Sequence, residues 1–442
     1  MNSPFTNIHI HVFTSECAPP NFLRVRTFKG LKWFAKPIKK WLEKPKVRKR
    51  IWRWDKRLKY LSRNRRTRLN KAVSFLSVGS KSNQLEVFRV SLKVAKSYNG
   101  YPRVVAHTLD MDFMDTNSLP IIPYATQLHE VLEIKKYYPD NFFPFISVDP
   151  RSRSGQNLVN WIDYYFTHGV KSNLSDEIIS FGAGIKLYPA HGFFPFDPGL
   201  DELYAYAEKN KIPLMFHCTR VGSQYIGRAI EQLIPEKPEM LMPTEQSPDF
   251  QKAQKAQGEI YSRIYRYYQK KKWIKNNKHG VNDFACDLFS HPQNYIPLMC
   301  KYPDLKICLA HMGGDEEIKF MNATNLQDTK APKTLKKIWD VDGHNWAVLI
   351  KNLMKDYKNL YADISSTISE LDEKQVLQNI RLWLNETDNI NQNTLGDRIL
   401  FGTDFFMTEM QHDEYELYQF MQSKLGNWFN KMAQSNANNY FN

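Results

Sequence analysis

The sequence is poor in cysteine and lacks the spacing of a disulfide framework. It has five cysteines in 442 residues, an odd number that contains no Cys-x-x-Cys pair: Cys17, Cys218, Cys286, Cys300 and Cys308. Scattered, unpaired cysteines favour reduced thiols over disulfide bonds. We therefore expect a cytoplasmic protein.

Long apolar runs are also missing. No uninterrupted apolar run approaches the roughly 20 residues that are needed to cross a bilayer. The first residues, MNSPFTNIHIHVF, carry no basic side chain before their apolar stretch, so they do not resemble a signal peptide. Hydrophobic residues nevertheless make up 42% of the chain and aromatic residues 14%. This composition is sufficient for a large core and excludes wholesale disorder.

The net charge of +15 is concentrated in one segment. Residues 21–74 carry a local charge of +19, whereas the rest of the chain carries −4. Bases interleaved with four tryptophans suit nucleic acid or an anionic membrane surface. Apolar residues also recur there at helical spacing: Ile51, Trp54, Leu58 and Leu61. We favour a helical lid with a solvated cationic face, and steering of a small acidic substrate is a third interpretation.

Eight short apolar or β-branched runs of strand length alternate with segments of helical periodicity. The predicted strands span 7–13, 102–109, 142–148, 182–188, 212–218, 305–311, 359–365 and 398–404. Buried strands that alternate with amphipathic helices indicate a parallel sheet, and eight such units fit a closed α/β architecture, the (β/α)8 TIM barrel. No Gly-rich fingerprint follows the first strand, which counts against a doubly wound sheet.

Two connections are too long for simple loops of this fold. We predict one barrel domain over 1–442, with a basic helical insertion over 14–100 and a second helical insertion over 221–285. The second contains QGEIYSRIYRYYQKKKW, whose apolar residues at 260, 264, 267 and 268 indicate a helix. Both insertions follow the C-terminal end of a strand, so they should rise over the catalytic face.

Histidines and an aspartate mark the ends of several predicted strands. His9 and His11 are two residues apart, so strand alternation points both side chains the same way, as a two-point chelate for a divalent metal. His217 lies near the end of the fifth strand, His311 ends the sixth and Asp404 ends the eighth. A His-x-His pair alone is weak support for a metal site. The prediction depends on all these residues meeting at one barrel mouth.

In this order, and with Lys186 on the fourth strand, the residues resemble the amidohydrolase superfamily. The local sequence is similar to its amidohydrolase-related branch, which includes decarboxylases, hydratases and lactonases. The matching stretches are NIHIHVF, FISVDPR, GIKLYPA, DELYAYAEKNKIPLMFHC, HPQNYIPLMCKYPDLKICLAHMGG, LYADISS and ILFGTDFF. They cover the barrel and leave both insertions unmatched.

The resemblance implies a catalytic metal, Zn²⁺ or Mn²⁺, as one ion or two. Its implied ligands are His9, His11, His217 and Asp404. Asp404 would accept a proton from the metal-activated water and pass it to the leaving group. His311 would ligate a second metal or stabilise the oxyanion.

Lys186 distinguishes one metal ion from two. The stretch GIKLYPA resembles the segment of dihydroorotase-like enzymes in which a carbamylated lysine bridges two metals. The alternative is an unmodified lysine that binds a substrate carboxylate.

Several other polar residues are weaker candidates. Arg220 and Arg151 could each bind a substrate carboxylate, and surface or cap roles fit them equally well. Asp363 could orient a metal ligand or be merely a polar residue at a strand end. Three polar residues cluster after the second strand, where they could contribute to the pocket, although we favour an ordinary loop: His107, Asp110 and Asp112.

The sequence thus predicts a metal-dependent hydrolase for a small carboxylate-bearing amide, lactone or ester, or a related decarboxylase or hydratase. A TatD-like nuclease or phosphodiesterase would explain the basic segment, yet that family carries Glu rather than Lys on its fourth strand. A scaffold acting through the basic insertion is a third hypothesis, although all metal-ligand positions are intact. We expect a small-molecule substrate, and association with a second copy is compatible with the sequence.

Overall fold

A computed structural model describes most of the chain. The described residues are 4–19, 77–98, 101–115, 118–227, 230–235, 248–270, 284–322, 340–368, 371 and 373–442. The basic segment 21–74 and its apolar stripe lie outside them.

Ten strands are found in the described residues. They are β1 (Thr6–His11), β2 (Arg103–His107), β3 (Phe142–Val148), β4 (Gly169–Lys171), β5 (Ile178–Ser180), β6 (Gly184–Leu187), β7 (Leu214–Thr219), β8 (Ile307–Gly313), β9 (Leu360–Asp363) and β10 (Ile399–Leu400). Eight form one parallel sheet in the order β1-β2-β3-β6-β7-β8-β9-β10, and β4 pairs with β5 in a separate antiparallel hairpin. All eight predicted strands are confirmed.

The sheet closes where the last strand meets the first. The backbone N–H of Ile8 donates to the carbonyl of Phe401 at 2.8 Å, and that of Asp404 donates to the carbonyl of His9 at 2.8 Å. A parallel bridge also joins Ile10 to Phe405. The predicted (β/α)8 barrel is therefore confirmed, since a closed ring of eight parallel strands leaves no free sheet edge.

Helices follow most of the barrel strands. The α-helices are α1 (Gln84–Tyr98), α2 (Tyr124–Tyr137), α3 (Gly155–Thr167), α4 (Asp201–Lys209), α5 (Pro248–Lys270), α6 (Phe284–Phe289), α7 (Ile296–Lys301), α8 (Asp315–Lys319), α9 (Trp346–Asp356), α10 (Lys374–Asn385), α11 (Glu414–Leu425), α12 (Asn427–Ala433) and α13 (Ser435–Phe441). Within the described residues, no helix is long and apolar enough to cross a membrane.

Helix α5 occupies the region predicted from helical periodicity in the second insertion. Three residues of its predicted apolar face, Ile260, Ile264 and Tyr268, are each 5% exposed or less, and the fourth, Tyr267, is half-buried. The bounds of both insertions stay predictions.

A β-bulge in β1 shapes the mouth of the barrel. The register against β2 shifts between Asn7 and Ile10, so β1 has more residues than its partner over this stretch. Ile8 packs inside the barrel with Val105, whereas Ile10 packs in the outer core. The bulge lets Ile8 fill the barrel interior while His9 still faces the mouth beside His11.

Candidate metal centre and its surroundings

Three predicted ligands meet at the C-terminal mouth of the barrel. Ligand atoms of His9, His11 and Asp404 all lie within 4.8 Å of one another. The Oδ1 atom of Asp404 is 3.3 Å from His11 Nε2 and 3.8 Å from His9 Nε2. All three residues are buried. Two imidazoles and a carboxylate are a ligand set that divalent Zn²⁺ and Mn²⁺ accept.

Hydrogen bonds fix the orientation of both imidazoles. His9 Nδ1 lies 2.8 Å from Asp363 Oδ2, so this nitrogen donates to the carboxylate and Nε2 keeps its lone pair. His11 Nδ1 lies 3.2 Å from the carbonyl oxygen of His107, which leaves its Nε2 facing Asp404. Burial, with Lys186 nearby, lowers the pKa of His9 well below its usual value. His9 is therefore a neutral ligand at physiological pH.

One buried nitrogen in this cluster lacks a protein partner. Among the described residues, His9 Nε2 has no hydrogen-bond partner. An unsatisfied polar atom in a protein interior is costly unless something binds it. Because this nitrogen faces Asp404, the residues present fit a divalent cation.

Asp363 organises the side of the mouth formed by β8 and β9. Its Oδ1 accepts from the backbone N–H groups of His311 and Ser365, each at 3.0 Å, while its Oδ2 holds His9. His311 and Asp404 both adopt the left-handed backbone region, with φ of 70° and 55°. Non-glycine residues rarely adopt this conformation, and such strain clusters at functional sites. The orienting role predicted for Asp363 agrees with this geometry.

His217 lies beside the metal cluster and is held by neighbours on both ring nitrogens. Its Nδ1 is 3.2 Å from His311 Nε2, and its Nε2 is 3.0 Å from the carbonyl oxygen of Val221. A Cβ atom added at Gly222 would lie 1.9 Å from the same Nε2, so only glycine fits at this position. Ligation by His217 stays a prediction, because it requires one of these contacts to be exchanged for the metal.

Lys186 is completely buried at the same site. Its Nζ has no hydrogen-bond partner within the described part of the chain and lies 4.9 Å from the ring centre of Tyr188. Burial lowers the pKa of Lys186 to about 8, although Asp363 and Asp404 oppose this effect. Lys186 thus lies near the metal cluster, and its carbamylation stays a prediction.

A comparison with protein families identifies the family of this chain. The family model of the amidohydrolases matches residues 122–441. The chain belongs to the amidohydrolase family. The match includes His217, His311 and Asp404, whereas His9 and His11 precede it. The candidate ligand pair on β1 therefore rests on the geometry of the barrel alone.

Solved structures of low identity also resemble this chain. One is the 5-carboxyvanillate decarboxylase of Novosphingobium aromaticivorans with bound manganese, which is 12% identical with a TM-score of 0.48, covering 99% of this chain and 97% of that one. Another is the 4-oxalomesaconate hydratase of Rhodopseudomonas palustris, 12% identical with a TM-score of 0.42 over 99% and 95% of the two chains. No curated protein sequence matches this chain. Similarity at this level does not transfer a reaction to this protein.

His107 was expected in an ordinary loop, and this prediction was wrong. It ends β2, and its ring centre lies 4.3 Å from that of His9. Its Nε2 lies 2.8 Å from the carbonyl oxygen of Ile8, so it supports the bulged strand. The available signal was its position at the end of the apolar run RVVAH, just as His311 ends the apolar run ICLAH. Asp110 and Asp112 do follow the strand, as expected.

Arg220, predicted to bind substrate, is instead surrounded by protein carboxylates. Its guanidinium donates to Glu317 at 2.7 Å and to Asp287 and Asp342 at 2.9 Å each. Its Nη2 also donates to the carbonyl of His344 at 3.0 Å, and the guanidinium carbon lies 4.5 Å from the ring centre of Trp346. Each guanidinium nitrogen therefore has a protein acceptor. This arrangement favours a structural role that joins β7 to helices α6 and α8.

We expect Arg220→Met to lower the free energy of unfolding by about 3–5 kcal/mol, because it leaves buried carboxylates without their cation. The exposed Arg153→Met is the control and should change stability by less than about 0.5 kcal/mol. Urea unfolding of both variants measures the difference. Unchanged stability together with a loss of substrate affinity would restore the substrate-binding role of Arg220.

Arg151, the second arginine predicted to bind a substrate carboxylate, pairs with one carboxylate only. It forms a two-point ion pair with Asp149, in which Nε donates to Oδ1 at 2.8 Å, and its guanidinium lies 5.4 Å and 6.0 Å from the ring centres of Phe113 and Phe193. Among the described residues its Nη1 has no acceptor, so this nitrogen can still donate to a ligand. Burial, with Asp149 nearby, raises the pKa of Asp110 to about 7.

Proposed function

We propose that the protein is a metal-dependent enzyme that hydrolyses a small carboxylate-bearing amide, lactone or ester, or catalyses a related decarboxylation or hydration. The observation that carries this proposal is the convergence of His9, His11 and Asp404 around a buried His9 nitrogen that has no hydrogen-bond partner among the described residues. Membership of the amidohydrolase family supports the same conclusion.

We assign one divalent ion, Zn²⁺ or Mn²⁺, to His9, His11 and Asp404, with His217 as a further ligand. When bound, the ion supplies Lewis acidity to the reacting groups. A second cluster of His9, His311 and Asp363 is spatially compatible with a metal. Its atoms are already joined to each other and to Ser365 by hydrogen bonds, which favours an orienting role.

Three further roles in the proposed reaction are proton transfer, oxyanion stabilisation and binding of the substrate carboxylate. Asp404 accepts the proton of the attacking water and returns it to the leaving group, a role that suits a carboxylate at the open mouth of the barrel. His311 Nδ1 lies 2.9 Å from the carbonyl oxygen of Ser365 and donates to it, so Nε2 keeps its lone pair on the side of His217 and would stabilise an oxyanion only when the ring takes up a second proton. The free Nη1 of Arg151 is our candidate for the substrate carboxylate, since an arginine held by Asp149 presents a fixed donor.

The TatD-like alternative is less well supported. The fourth barrel strand, β6, carries Lys186 where that family has a glutamate. The scaffold alternative gains no support from the described residues, because the ligand cluster is intact.

A substrate screen tests the proposed function. We expect chelator-treated protein to be inactive on a panel of carboxylate-bearing amides, lactones, esters and aromatic acids, and Zn²⁺ or Mn²⁺ to restore turnover of at least one class. Restoration should exceed about 10²-fold, because a metal at such a site stabilises the developing charge of the transition state. Turnover that survives full metal removal would contradict the proposal.

Replacement of Lys186 tests the number of ions. We expect Lys186→Ala to keep the wild-type metal content, because an unmodified lysine ammonium has no lone pair with which to bind a metal ion. Metal analysis of both proteins measures this. If the variant loses a second equivalent and short carboxylic acids restore it, Lys186 is a carbamylated bridge and the centre is binuclear.

A further inference from the structure

The candidate metal centre is divided between the two strands that close the barrel. His9 and His11 belong to β1, whereas Asp404 follows β10. The backbone N–H of Asp404 donates to the carbonyl of His9 at 2.8 Å, which is one of the few hydrogen bonds that hold this seam. The distance between the two halves of the centre therefore depends on how firmly β1 is held against β10.

A buried polar network lies directly behind this seam. Glu414, the first residue of α11, accepts through Oε1 from Ser91 at 2.9 Å, from Thr403 at 3.0 Å and from Asn7 at 3.3 Å. These donors come from α1, from the chain after β10 and from β1. Glu414 is only 2% exposed. One carboxylate oxygen thus joins three separate segments of the barrel wall.

The network reaches the backbone of the metal ligands. The side-chain oxygen of Asn7 accepts from the backbone N–H of His9 at 3.3 Å and from that of Thr403 at 3.2 Å. The Nδ2 of Asn7 also lies 2.9 Å from Thr403 Oγ1. Asn7 therefore bridges the two strands next to His9 and Asp404, and Glu414 holds Asn7 and Thr403 in that position.

We infer that Glu414 is a positioning residue for the candidate metal centre. Its carboxylate fixes β1 against β10, and in this way it sets the separation of His9 from Asp404. This role rests on the proposed function as far as the metal is concerned, whereas the structural link across the seam does not. Loss of the carboxylate removes the acceptor of the Ser91 and Thr403 hydroxyls and one of the partners of Asn7 Nδ2, and the seam can then relax.

The test compares Glu414→Ala, Glu414→Gln and Asn436→Ala in the full-length protein. Asn436 is the matched control, because it is buried and donates to the carbonyls of Gly396 and Ile399 at the opposite end of β10. Two properties are measured: Zn²⁺ and Mn²⁺ affinity by chelator competition, and amide hydrogen exchange of peptides covering 5–13 and 399–408 in the metal-free protein.

We expect Glu414→Ala to weaken metal binding by about 10–100-fold, the usual effect of losing a group that orients ligands. Exchange should rise at the mouth end of both peptides. Glu414→Gln should stay within about threefold of wild type, since its amide oxygen can still accept the three bonds. Asn436→Ala should lower the melting temperature and leave metal affinity unchanged.

Two results would overturn the role of Glu414. One is an unchanged exchange rate across the seam in Glu414→Ala. The other is an equal loss of metal affinity in Asn436→Ala, which would reduce the effect to general stability. A wild-type protein that binds no metal contradicts the proposed function instead, and the exchange rates then still decide whether Glu414 holds the seam.

Discussion

The Asp404→Asn variant is expected to lose turnover by about 10²–10⁴-fold while it keeps its fold, because general acid–base catalysis contributes that much. The amide cannot accept the proton of the attacking water, and it is a weaker metal ligand than a carboxylate. Asparagine is the informative replacement, since Asp404 has a φ of 55° and asparagine tolerates the left-handed region.

The measurement is kcat with a substrate identified in the screen, together with the melting temperature of each protein. Asp304→Asn is the control, because the Asp304 side chain is 73% exposed in a surface ion pair and should leave kcat unchanged. If Asp404→Asn retained more than about a tenth of the wild-type rate, Asp404 would not be the proton acceptor.

The barrel could be predicted from the sequence because its strands are buried on both faces. Such strands have the sequence of short continuous apolar runs, for example LKICLAH, which overlaps β8 and ends with His311. Segments of helical periodicity separate each run from the next. The hairpin of β4 and β5 was not predicted. Its strands have three residues each, which is too short to show a period.

The β-bulge of β1 shows a limit of strand alternation. Simple alternation places His9 and His11 on one face and Ile8 and Ile10 on the other. The structure instead puts Ile8 inside the barrel and Ile10 outside. The prediction for the histidines agrees with the structure, but through a local irregularity that depends on pairing with β2.

The candidate ligand residues could be named from the sequence, whereas most of their hydrogen-bond partners could not. His9, His11 and Asp404 stood at strand ends, where the barrel fold assigns function. Ser365 and Glu414 contribute through contacts across more than 300 residues of sequence with His9 and Ser91, and no spacing reveals such contacts. Arg220 illustrates the reverse error, since its position after β7 suggested substrate binding and its neighbours prove to be carboxylates of the protein.

The double variant His9→Ala/His11→Ala is expected to lose the metal entirely. It removes both nitrogen ligands from β1 and leaves Asp404 with His217 alone, and two ligands do not retain Zn²⁺ or Mn²⁺ through purification where protein sites use three or four. The fold should survive, because replacing the two histidines at the mouth leaves the buried apolar residues of β1, Ile8 and Ile10, in place.

Elemental analysis of the purified wild-type protein beside this double variant tests whether His9 and His11 hold a metal ion. We predict about one equivalent of Zn²⁺ or Mn²⁺ per wild-type chain and none in the variant. Equal metal content in the two proteins, with the barrel intact by circular dichroism, would contradict it.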